Sequence, residues 1–76
     1  MRKIHPVLVE RFAHNLKAER ERRGWTHREA AARIGVTYAY LSLLESCQRQ
    51  PTLEVIEKCA AGMKLSDPSY LLRKVS

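Results

Sequence analysis

Thr26-His27-Arg28-Glu29-Ala30-Ala31-Ala32-Arg33-Ile34-Gly35-Val36-Thr37-Tyr38-Ala39-Tyr40-Leu41-Ser42-Leu43-Leu44-Glu45-Ser46 is the stretch whose reading decides the fold. Thr26 followed three residues later by Glu29 is a capping-box pattern, so a helix starts there and carries Ala30, Ala31 and Ile34 on its inner side. Gly35 stops it, Val36 is an apolar spacer, and Thr37 caps the next helix. In that second helix Leu41 and Leu44 fall on one side. Turning about 100° per residue puts Ala39, Ser42, Leu43 and Ser46 on the other, with Tyr38 and Tyr40 on the shoulders.

The neighbouring stretches continue the pattern. Upstream, Pro6 suits a first helical position, and Val9, Phe12, Ala13 and Leu16 recur at helical spacing. A helix over 6–23 is predicted, ended by Gly24. Downstream, Gln48-Arg49-Gln50-Pro51 is a polar loop, and Thr52 caps a fourth helix with a stripe of Leu53, Ile56, Cys59 (or Ala60) and Met63. Ser66-Asp67-Pro68 opens a fifth helix over 66–75 containing Tyr70, Leu71, Leu72 and Val75. The chain reads as one all-α domain over 1–76, a compact five-helix bundle with its helix-turn-helix at 26–46.

Composition narrows the class. Among 76 residues, 14 Lys and Arg face 8 Asp and Glu, for a net charge of +6. The excess is concentrated in residues 2–33, whose nine basic and four acidic side chains leave +5. A basic half in a small protein suggests a polyanionic partner, most often nucleic acid. No run approaches the ~20 apolar residues of a membrane span, and the first six residues lack the apolar centre of a signal peptide, so the expected compartment is the cytoplasm, with no membrane partner. Cys47 and Cys59, with His5, His14 and His27, have no metal-ligand spacing, so neither metal nor cofactor is expected. The chain has no glycine-rich phosphate loop, no paired buried carboxylates and no Ser/His/Asp set, which argues against an enzyme.

Two short capped helices joined by a glycine turn, the second with a small uncharged outer face, form the geometry by which one helix enters the major groove of double-stranded DNA. An αα-hairpin buried on both sides would account for Leu41 and Leu44. It would not account for that outer face inside a rim of Arg28, Arg33 and Arg49.

Three runs carry a family resemblance. They are Phe12-x-x-x-Leu16-Lys17-x-x-Arg20-x-x-x-Gly24-x-Thr26, Ala31-x-x-x-Gly35-Val36-Thr37-x-x-Tyr40-Leu41-Ser42-x-Leu44-Glu45, and Arg49-x-Pro51-Thr52-Leu53. At these spacings, without gaps over about 12–66, the chain resembles the phage-repressor-like (XRE-type) helix-turn-helix transcription regulators. The length and Gly62-Met63-Lys64-Leu65-Ser66-Asp67 resemble the controller proteins of restriction–modification systems. The resemblance implies a symmetric homodimer on a two-half-site operator, and an ion pair between Arg20 and Glu45 that fixes the recognition helix. Two positions depart from the pattern. His27 stands where the family has a phosphate-contacting Gln, and Cys47 where it has a Gly. A left-handed turn at Cys47 would cost about 1 kcal/mol.

The base-contacting residues expected on this reading are Tyr38, Ala39, Ser42, Leu43 and Ser46. None is Arg, Lys, Asn or Gln, so direct readout is expected to be thin, supplemented by Arg49 or Arg28 from the rim and by DNA shape. Thr26, His27, Arg28, Tyr40 and Arg49 are expected to flank the helix at phosphates. Leu53, Val55, Tyr70 and Leu71 (or Leu72) are the candidates for a homodimer interface, the alternative being that they close the monomer core. RNA polymerase would be a further partner of an activator, though no patch can be assigned to it. The rival function is a protein-interaction module, such as an antitoxin or antirepressor, that uses the same fold and a Leu43-centred contact.

Overall fold

The computed structural model describes residues 5–75; residues 1–4, the charged start read above for a signal peptide, and residue 76 lie outside them. Four α-helices follow one another: α1 (Pro6–Arg22), α2 (His27–Ile34), α3 (Tyr38–Glu45) and α4 (Leu53–Gly62). A 3-10 turn, Pro68–Leu72, closes the chain against α1 and α4. No helix among the described residues is long and apolar enough to cross a membrane.

The helix starts are set by side chains that satisfy amides with no partner inside the helix. Thr26 Oγ1 accepts from Glu29 N at 3.1 Å and Glu29 Oε1 accepts from Thr26 N at 2.8 Å, completing the capping box. Thr37 accepts from Tyr40 N and Thr52 from Val55 N, each at 3.1 Å. After α2 the chain turns through Gly35 at φ 89°, and after α3 through Cys47 at φ 62°. Cys47 therefore holds a left-handed position that glycine would occupy without strain, at a cost of about 1 kcal/mol.

Phe12, Leu16, Leu41, Leu44, Cys59, Met63 and Leu71 are fully buried in one cluster drawn from α1, α3, α4, the segment after α4 and the 3-10 turn. Burial pushes the Cys59 thiol up to about 12, which makes it a packing residue.

Three expectations need correction. The fifth helix is not α-helical. Five residues are too few to offset the cost of nucleating an α-helix, and the carbonyls that would extend it are taken elsewhere. Asn15 Nδ2 donates to Leu71 O at 3.1 Å and to Arg73 O at 3.0 Å, and Arg73 is already extended (φ −64°, ψ 155°). Leu53 is not part of the inner stripe of α4; it is 78% exposed, while Ile56, Cys59, Ala60 and Met63 point inward. Leu71 belongs to the core rather than to an outer face.

Three polar side chains of α1 are buried beside its apolar stripe: Asn15, Glu19 and Arg20. Burial alone would raise the Glu19 carboxyl, but hydrogen bonds from Arg23 and Arg22 outweigh it and hold the group below the usual glutamate value. Tyr70 Oη also donates to Glu19, at 3.3 Å, and Arg23 Nη2 donates to Met63 O at 2.8 Å. Glu19 thus gathers the end of α1, the end of α4 and the 3-10 turn.

Gly62, the last residue of α4, meets the backbone of α2. A Cβ placed there would lie 2.7 Å from Arg33 O and 2.8 Å from Ile34 Cα. Backbone cannot swing aside as a side-chain tip can, so Gly62→Ala must part the two helices. Overpacking of this kind costs roughly 1–3 kcal/mol, against a return of up to about 1 kcal/mol in helix propensity. A net loss of about 1–2 kcal/mol in urea unfolding is expected; unchanged or higher stability would show that the contact gives way freely.

Candidate nucleic-acid interface

Helix α3 packs against α2 and α1, with Leu41 and Leu44 buried beneath it. On its other side Tyr38 is 48% exposed and Ala39, Ser42 and Ser46 are exposed; Leu43 is half-buried. Ser46 turns its hydroxyl back to Leu43 O at 3.2 Å. Tyr40 leans half-buried against the core. The five side chains expected to face DNA therefore share the outer side of α3.

One ion pair fixes that helix. Arg20 Nε donates to Glu45 Oε2 at 2.8 Å and Arg20 Nη2 to Glu45 Oε1 at 3.1 Å, a two-point contact between side chains that are only 9% and 6% exposed. Arg20 Nη1 donates to Trp25 O at 2.9 Å, so the same guanidinium holds the turn between α1 and α2. Hydrogen bonding to Glu45 raises Arg20 above the ordinary arginine value, against the opposing effect of burial. No buried side-chain polar atom among the described residues lacks a partner, so the charges are desolvated but satisfied.

His27, at the first position of α2, extends the network. Its Nε2 donates to Glu45 Oε1 at 3.2 Å, and its ring meets Tyr38 edge-on, 5.8 Å between centroids at 72°. Arg28 lies over the Tyr38 ring from the next position, 5.1 Å from Cζ to centroid. Thr26 is occupied in the capping box, and Arg49 is exposed in the loop after α3.

Arg33 was expected on the same rim as Arg28. It lies over the Trp25 ring instead, 4.5 Å from the centroid, with Arg23 at 5.5 Å from the same ring. Lys17 is the residue that sequence reasoning passed over. It lines an open cleft of about 300 Å³ with Arg20, His27, Ser42, Glu45 and Ser46. In the sequence it is one charge among many along α1, and only the crossing of α1 over α3 brings it there. The remaining candidates lie apart from this surface. Leu53 and half-buried Val55 sit on α4, and Tyr70 is engaged by Glu19 and by Arg73, whose Cζ is 4.0 Å from its ring.

A capped two-helix unit with an exposed outer face on its second helix, locked to a scaffold helix by a buried ion pair, defines the class of helix-turn-helix DNA-binding transcription regulators. Residues 16–71 match the helix-turn-helix family HTH_3, the XRE type, and the chain belongs to that family. Among solved structures it is similar to a hypothetical transcription factor from Neisseria, with 30% identity over 87% of this chain and 75% of that one, at a TM-score of 0.81. It is also similar to an HTH_3 family transcriptional regulator from Vibrio cholerae, with 28% identity over 88% of this chain and 38% of that one, at the same TM-score of 0.81. No curated protein matches the chain.

Glu45→Ala leaves the buried Arg20 charge without its partner, which costs about 3–5 kcal/mol when a buried pair is broken from one side. The double variant Arg20→Met with Glu45→Leu removes both charges and is expected to lose less than Glu45→Ala alone, as read by denaturant unfolding. A Glu45→Ala loss under about 1 kcal/mol would reduce the pair to the worth of a surface contact.

Proposed function

We propose that the protein regulates transcription by binding a pseudo-palindromic duplex operator as a homodimer, with α3 of each protomer in the major groove. The observation that carries this reading is the outer side of α3: exposed but for half-buried Leu43, uncharged, outside the buried cluster, and held by Arg20 and Glu45. Both similar structures are named as a transcription factor or a transcriptional regulator, which supports the same role here.

Ala39 and Leu43 suit thymine methyls, and Tyr38, Ser42 and Ser46 supply hydroxyls for single hydrogen bonds. Thr26, His27, Tyr40 and Arg49 flank the helix where phosphates would pass, and Lys17 stands at the edge of the cleft beside them. With few strong base contacts on α3 itself, part of the selectivity falls to sequence-dependent DNA bending. Control of restriction–modification genes is the narrower role supported by the chain's length and its 62–67 segment.

Dimerisation follows from reach, since one eight-residue helix spans only a few base pairs. The supporting surface is Leu53, which projects beside an apolar hollow of about 340 Å³ lined by Leu8, Pro51, Ile56 and Leu72. Leu53 and Val55 remain the candidates for the contact on α4, with Leu72 in place of the buried Leu71.

Selection of bound duplexes from a random pool tests the whole reading. The expected consensus is two-fold symmetric with half-sites about 34 Å apart. Affinity should fall steeply with salt, and Arg49→Ala should make that dependence shallower by roughly one unit of log–log slope per protomer. No retention of any duplex at low ionic strength would end the proposal. Leu53→Glu is expected to leave the helical circular dichroism intact and to give a monomer in sedimentation, with weaker operator binding; an unchanged dimer would place the interface elsewhere.

A further inference from the structure

The exposed side of α3 contains no side chain able to grip a base at two points, yet Arg28 lies against its first residue. We propose that Arg28 reads a guanine in each half-site, with Tyr38 as the plate that aims it; of the two roles expected from sequence, readout from the rim and phosphate contact, this takes the first. This rests on the duplex-binding reading above.

The donors of Arg28 are available. Among the described residues no hydrogen bond or ion pair engages its guanidinium, which lies over the Tyr38 ring. The nearest carboxylate in sequence, Glu29, is committed to the amide of Thr26, and Glu45 is committed to Arg20 and His27. A phosphate would need only a charge at this place. A guanidinium laid on an aromatic ring loses rotamer freedom, and its planar fork matches the N7 and O6 acceptors of guanine.

The plate is itself held. The His27 ring meets Tyr38 edge-on, His27 is tied to Glu45, and Glu45 is held by Arg20. An unbroken series of contacts therefore runs from α1 through Glu45, His27 and Tyr38 to Arg28. Arg28 and Tyr38 are both exposed, so substituting either leaves the core intact.

The test measures wild-type, Arg28→Lys, Arg28→Ala, Tyr38→Phe and Tyr38→Leu proteins against the selected operator and every single-base variant of it, across a salt titration. Wild type is expected to lose about tenfold when one particular guanine per half-site is replaced. Arg28→Lys keeps the charge and the salt slope but prefers that guanine less than wild type does, because an ammonium lacks the planar fork. Arg28→Ala loses the preference and also flattens the slope. Tyr38→Phe retains the preference and Tyr38→Leu loses it. If Arg28→Ala keeps the wild-type base profile and only flattens the salt slope, Arg28 is a phosphate contact, and the inference fails while duplex binding stands. A symmetric consensus without such a guanine has the same consequence. Failure of wild type to bind any duplex overturns both readings together.

Discussion

Glu45 closes α3 with a side chain that water hardly reaches, and both of its oxygens accept from Arg20 on the neighbouring scaffold helix. Because Arg20 also holds the Trp25 carbonyl, one guanidinium sets α1, the α1–α2 turn and α3 at fixed distances from one another. The arrangement is costly to assemble, since two charges leave water, and it is kept by hydrogen bonds that saturate both partners. An eight-residue helix has little stability of its own. Its direction is imposed by this pair from one end and by Leu41 and Leu44 from beneath.

A second buried carboxylate repeats the device on the same helix. Glu19 collects Arg22, Arg23 and Tyr70, and Arg23 reaches on to the Met63 carbonyl. Asn15 takes the last carbonyls of the 3-10 turn. Through Asn15, Glu19 and Arg20, α1 is joined to the turn before α2, the end of α3, the end of α4 and the 3-10 turn. A domain of this size has too little apolar surface to specify a fold by burial alone. Directional contacts from α1 supply what the core lacks.

What the sequence made legible was local chemistry. Thr26 with Glu29, Thr37 and Thr52 announced their helices because a cap is formed within three residues, and Gly24 and Gly35 marked ends that only local backbone geometry decides. The outer side of α3 followed from angular spacing alone. What stayed hidden depends on partners far along the chain. Asn15, Glu19 and Gly62 are ordinary letters until Leu71, Tyr70 or Arg33 is brought beside them. The 3-10 turn defeated the helical reading of its strong start signal for the same reason, because Asn15 lies 56 residues from the carbonyl it captures. At the interface, family likeness implied the Arg20–Glu45 pair. Neither likeness nor spacing placed Arg28 on Tyr38, or Arg33 on Trp25, because such stacking depends on how two helices cross.

The exposed positions of α3 have a further consequence for how such a domain can change. Ala39 and Ser42 are exposed and outside the buried cluster, so their identity is almost free of folding constraint. Substitutions at surface sites of this kind typically shift stability by no more than about 0.5 kcal/mol. Lineages carrying this scaffold can therefore vary these surface residues without passing through unfolded ancestors. Separating what is rigid from what is rewritable lets one backbone serve many targets.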